Sequence, residues 1–196
     1  MEQRVTAKGL KFSTRQITVI GLLSAISIVL GMTPLGFIPI PPANATIMHI
    51  PVIIGAIVEG PVVGAMIGLI FGISSIIKAI TQPNILSFAF LNPIVSVLPR
   101  VLIGITAYYA YKAIPGKSHV IKSAFAAAIG TITNTAGVLG FIYLLYIQKF
   151  AAASNISLEK AKAVIIGIAA TNGIPEVLVS MAIVIPVTLI MKNVRK

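Results

Sequence analysis

Six apolar runs, separated by proline-rich or polar breaks, leave this chain few ways to fold. They cover about 17–33, 46–59, 62–80, 92–111, 123–147 and 163–191. Charges are almost absent from their interiors, and such runs are read as membrane-spanning helices. The first follows a basic N-terminal segment and lacks a small-x-small cleavage site, so it is read as a span and not a signal peptide. Hydrophobic residues make up 57% of the chain and charged residues 10%. A soluble domain carries about 25% charged residues, so the apolar excess must face lipid or neighbouring helices. The expected fold is all-α and integral to the membrane, a six-transmembrane-helix bundle that forms a single membrane domain over residues 1–196.

The charge pattern orients the bundle. The net charge of +11 comes from 15 Lys and Arg against 4 Asp and Glu. In a soluble chain this would suggest nucleic acid. Here the basic residues cluster at the ends of apolar runs, so they report orientation and no nucleic-acid partner is expected. With the N-terminus inside, ten basic residues fall on inner segments, among them Arg4, Lys8, Lys11, Arg15, Lys112 and Lys117. Four fall outside: Lys78, Lys149, Lys160 and Lys162. Both termini are therefore expected to be cytoplasmic. Lys78 reads as a side chain that snorkels to the interface.

Small residues recur at helical spacing. Gly64, Gly68 and Gly72 form a ridge on span three, which suits close packing inside the bundle. Gly21 and Ala25 form a shorter one on span one, where a partner helix could dock equally well. Pro34, Pro39, Pro41 and Pro42 mark a loop. Residues 149–162 read as a short surface helix, and the stretch from Thr171 to Glu176 as a local break in span six.

Arg100 is the most informative residue, since it sits roughly 12 Å into span four by helix rise. A charge at that depth must be paired or face a wet cavity. Glu176, at comparable depth in span six, is the candidate partner. The alternative is a guanidinium that grips an anionic ligand, a task suited to its planar fork. Asn134 and Asn172 lie mid-span, Asn92 opens span four, and Thr46 and His49 lie near the outer end of span two. Each is either interhelical glue or a ligand contact. The lack of Trp and the few aromatics near mid-depth argue against a planar ring ligand.

Several chemistries are excluded. Without cysteine there is no disulfide or thiolate metal site, and a lone His49 is a poor metal ligand, so no metal is expected. Gly116-Lys117-Ser118 mimics the end of a P-loop, but Tyr111 stands where its first glycine belongs. Neither a Ser-His-Asp set nor a His-Glu-x-x-His motif occurs. The chain is read as a non-enzyme with no cofactor.

The run from Ala45 to Ala56 (ATIMHIPVIIGA), then Glu59-Gly60-Pro61 and the glycines 64–72, resembles the substrate-binding S-components of energy-coupling factor (ECF) vitamin importers. The likeness covers essentially the whole chain. The segment Leu91-Asn92-Pro93 with Leu98-Pro99-Arg100 is most similar to members that take pantothenate. The resemblance implies a high-affinity substrate-binding subunit in the prokaryotic plasma membrane. Its outward loops would close over the vitamin. Its partners would be a transmembrane scaffold subunit, docked at Gly21 and Ala25, and two cytoplasmic ATPase subunits that hydrolyse ATP. Under it, Arg100 holds the carboxylate of pantothenate, and Asn134, Asn172, Asn92, Thr46 and His49 meet its amide and hydroxyls. Riboflavin, folate, a thiamine precursor, pyridoxine and nicotinate remain alternative ligands. A standalone secondary transporter and a structural membrane protein remain alternative roles.

Overall fold

The computed structural model describes residues 12–40 and 43–193. Among these residues eight α-helices run in chain order: α1 Thr14–Met32, α2 Ile50–Glu59, α3 Pro61–Thr81, α4 Ser87–Phe90, α5 Pro93–Ser96, α6 Leu98–Ala113, α7 His119–Ala153 and α8 Leu158–Asn193. Between α1 and α2 lie a short 3-10 turn, Pro34–Gly36, and two strands, β1 Phe37–Ile40 and β2 Ala43–Thr46. Both chain ends, assigned to the cytoplasm by the charge bias, involve residues 1–11 and 194–196, which lie outside the described residues, as do Pro41 and Pro42.

Among the described residues five helices are long and apolar enough to cross a membrane: α1, α3, α5 with α6, α7 and α8. The second apolar run does not supply a sixth of that length. Its first residue, Thr46, ends β2, residues 47–49 turn the chain, and α2 has only 10 residues, about 15 Å against a hydrocarbon core of about 30 Å. α2 tolerates this because protein surrounds it. It touches α1, α3, α6, α7 and α8, and Val52, Ile53 and Ala56 are fully buried.

Three further expectations are corrected. The proline-rich segment after α1 is not simply a loop but an antiparallel hairpin, with Phe37 opposite Thr46 and Ile40 opposite Ala43. Residues 149–162 do not form a separate surface helix. They are the ends of α7 and α8, which meet at a turn where Asn155 takes φ 52°. Phe150, Ala151, Ala161 and Ile165 bury against one another there, and alanine favours the extension. Span six is unbroken, since α8 runs through both Pro175 and Pro186. Neighbouring helices let a membrane helix tolerate the lost backbone bond.

Polar contacts and close backbone packing fix the ends and middle of the bundle. Ser13 and Gln16 cap α1 reciprocally, at 3.2 and 3.0 Å. Arg15 Nε lies 2.7 Å from Glu59 Oε1, which ties the start of α1 to the end of α2. The glycine ridge of α3 faces α6. A Cβ on Gly68 would stand 2.1 Å from the Arg100 carbonyl oxygen, and one on Gly64 would stand 2.9 Å from Gly104 Cα. The two backbones are therefore nearly in contact, which carries Arg100 into the centre of the bundle.

Gly68→Ala is expected to force α3 and α6 apart and destabilise the protein by about 1–3 kcal/mol. Gly140 has nothing within 4 Å of an added Cβ, so Gly140→Ala should leave stability unchanged or slightly raised. Thermal unfolding of both variants in detergent checks the contrast.

Candidate functional site

A cavity of about 220 Å³ opens at the end of the bundle away from the Arg15–Glu59 pair. The end of α1, the hairpin, the second half of α3, residues 82–87, the start of α6 and the middle of α7 enclose it. This volume lies below the roughly 300–1,000 Å³ of sites for drug-sized ligands, so it suits a smaller molecule.

Arg100 lines this cavity and is 6% exposed. Its Nη1 donates to the Val95 carbonyl at 2.6 Å. Its guanidinium carbon lies 5.5 Å from the centre of the Phe71 ring and 5.4 Å from that of Phe90. Two π faces and one carbonyl thus replace the hydration shell. Its Nε has no partner. The candidate pair with Glu176 is not among the ion pairs of the described residues, and the Glu176 carboxylate is bound elsewhere. Oε1 accepts from the Thr46 amide at 2.9 Å and the Thr46 hydroxyl at 2.6 Å, and Oε2 accepts from the Thr135 hydroxyl at 2.7 Å.

His49 is fully buried and also lines the cavity. Its Nε2 lies 2.9 Å from Thr131 Oγ1, while Nδ1 has no partner. Asn134 lines the cavity too, and its Oδ1 is buried without a partner. Three unpartnered buried polar atoms therefore belong to one cavity: a guanidinium donor, an amide acceptor and an imidazole nitrogen of either role. Buried polar atoms are nearly always satisfied, and each exception needs a reason. A polar ligand is one.

Lys78, expected to snorkel, is partly buried in the last turn of α3. It lines the cavity, donates to the Gly31 carbonyl and stands 4.8 Å from the centre of the Phe37 ring. The lining thus holds two cations and no Asp or Glu. Phe37, Phe71 and Phe90 also line it, so the cavity is richer in aromatics than the sequence suggests. Phe71 and Phe90 are engaged with Arg100. Phe71, Phe90 and Ser87 were not foreseen as site residues, since nothing in their local sequence sets them apart.

The other expected residues are placed as follows. Thr46 lines the cavity while bound to Glu176. Asn92 caps α5, accepting from the Ile94 amide at 2.9 Å and donating to the Tyr146 hydroxyl at 3.0 Å, and does not line the cavity. Asn172 lies on α8, also off the cavity, and accepts from the Thr171 hydroxyl at 3.4 Å. Gly21 and Ala25 are exposed one turn apart on α1. No group of three or more metal-ligating side chains occurs among the described residues.

Residues 15–188 match the family described as ECF transporter, substrate-specific component. The chain is 31% identical over 155 residues to the pantothenic acid transporter PanT of Lactococcus lactis subsp. cremoris, covering 71% of this chain and 74% of that protein. It is 29% identical over 160 residues to the pantothenate transporter PanT of Leuconostoc mesenteroides subsp. mesenteroides, covering 79% of this chain and 78% of that one.

The two amides should respond oppositely to removal in the ligand-free protein. Asn92→Ala deletes a helix cap and should lower stability by about 1 kcal/mol. Asn134→Leu removes an unsatisfied buried oxygen and should raise stability by about 1 kcal/mol. Paired melting curves test this.

Proposed function

The chain belongs to the ECF transporter substrate-specific component family, and from that premise we propose that it is the membrane subunit that captures pantothenate for import into the cell. The observation that carries the reading is the cavity itself. Two cations with no opposing acid, and three unpartnered buried atoms, describe a small anion with further polar groups. Pantothenate has one carboxylate, one amide and two hydroxyls. The two relatives named as pantothenate transporters support the same ligand.

In this reading the free Nε edge of Arg100 takes the carboxylate by charge-assisted hydrogen bonds. The surrounding rings exclude water, which strengthens that contact. Asn134 Oδ1 accepts from a hydroxyl or the amide N–H, and His49 Nδ1 pairs with a second polar group. The Thr46 hydroxyl oxygen, which donates its proton to Glu176, retains lone pairs to accept from the ligand. Asn92 and Asn172 are left out, because they stand away from the cavity. The cavity end faces outward, both termini face the cytoplasm, and α2 with β2 completes a sixth crossing. The exposed Gly21 and Ala25 face lets a transmembrane scaffold subunit approach closely. Two cytoplasmic ATPase subunits then supply the energy, and this chain catalyses no reaction.

Calorimetric titration of the purified chain with pantothenate should show tight binding. Arg100→Ala should weaken it about 100-fold, equivalent to about 2.7 kcal/mol. Pantothenol, with an alcohol in place of the carboxylate, should bind the wild type as weakly as Arg100→Ala binds pantothenate, with no further loss in the variant. A wild type that binds no pantothenate, or an Arg100→Ala chain that binds it as tightly as the wild type, overturns the assignment.

A further inference from the structure

The hairpin that closes one side of the cavity is gripped at its base rung. Phe37 and Thr46 are register partners at its base, and both line the cavity. Behind them the Gly36 carbonyl accepts from the Ile47 amide at 3.1 Å. Each member of the rung is gripped by a charged side chain from a different helix. From α3, Lys78 stands over the Phe37 ring and donates to the carbonyl of Gly31 at the end of α1. From α8, Glu176 takes both the amide and the hydroxyl of Thr46 on one oxygen, and binds Thr135 of α7 with the other. Neither charge forms an ion pair among the described residues. Both are spent on the hairpin and on the helices beside it.

We propose that Lys78 and Glu176 are positioning residues that clamp the Phe37–Thr46 rung across the cavity and so set how long a bound ligand is held. Glu176 does not line the cavity and acts through Thr46. Lys78 acts through Phe37 and the end of α1. Reach and bonding capacity suit the task. The buried Glu176 side chain accepts three hydrogen bonds from two elements, and the long Lys78 side chain, partly buried, sets its ammonium over the Phe37 ring while it bonds the end of α1. Opening the rung breaks both grips, whereas the ligand contacts at Arg100, His49 and Asn134 belong to elements that need not move. The clamp should therefore govern release more than intrinsic complementarity.

The inference rests on the pantothenate reading only for its kinetic readout, and the test separates the two. The chain has no cysteine, so Ser74→Cys, on a buried cavity-lining residue, gives one thiol that reports opening without any ligand. The full chain in lipid nanodiscs is treated with a charged maleimide. Lys78→Met and Glu176→Ala should each speed labelling about tenfold. Glu176→Gln should stay within twofold of the parent, because its amide oxygen still accepts from Thr46 and its NH2 can donate to Thr135. Release of labelled pantothenate should follow the same order. Unchanged labelling in a folded Lys78→Met chain, or equal labelling in Glu176→Gln and Glu176→Ala, overturns the clamp. If Glu176→Ala does not fold, Lys78→Met against the parent decides. Labelling that follows the expected order in a parent that binds no pantothenate upholds the clamp and counts against the ligand alone.

Discussion

A guanidinium inside a membrane bundle has to be solvated by protein, and the structure is arranged around doing so for Arg100. Water is replaced by one carbonyl and two phenyl faces. That arrangement depends on backbone contact between α3 and α6, since the glycine ridge sets both Phe71 and Arg100 at the right depth. Phe90 arrives from α4, and the turn there is braced by Ser96, whose hydroxyl donates to the Phe90 carbonyl. An ion pair would have neutralised the charge. Rings and a carbonyl leave it available to a ligand.

The same economy applies to the polar atoms nearby. His49 spends one nitrogen on Thr131 and keeps the other. Asn134 leaves its oxygen unpartnered. Each such atom destabilises the protein by about 1–3 kcal/mol, a cost that a ligand of matching donors and acceptors would recover in the proposed reading. Glu176 shows the opposite treatment. It is buried among three donors and fully engaged, which marks it as architecture beside a site left unsatisfied.

What the sequence made legible follows from how local each signal is. Arg100, His49 and Asn134 stand out as polar residues in apolar surroundings, and the structure gathers them at one cavity. Asn172 has the same signal but lies elsewhere, because α8 is apolar all round and its sequence does not say which side faces protein. Asn92 was legible as polar but not as a cap, since its role depends on Pro93 starting a short helix. The hairpin was hidden because its prolines look like loop breaks and mask the pairing of residues three to nine apart. Lys78, in the last turn of α3, could point to the interface or inward, and only the position of Phe37 decides. The lengths of α7 and α8 were understated because a polar stretch masks a helix-favouring run of alanines.

The lipid-facing sides of the molecule are unequal. On α7 large exposed apolar residues extend from Val120 to Leu145, and on α1 from Ile17 to Val29, which by helix rise is about 37 Å against about 18 Å. No upright orientation in a slab about 30 Å thick can match both sides at once. The bilayer must thin at α1, thicken at α7, or let the body lean, each at a fraction of a kcal/mol per Å. A mismatch of this kind makes the lean of the body depend on the thickness of the bilayer around it.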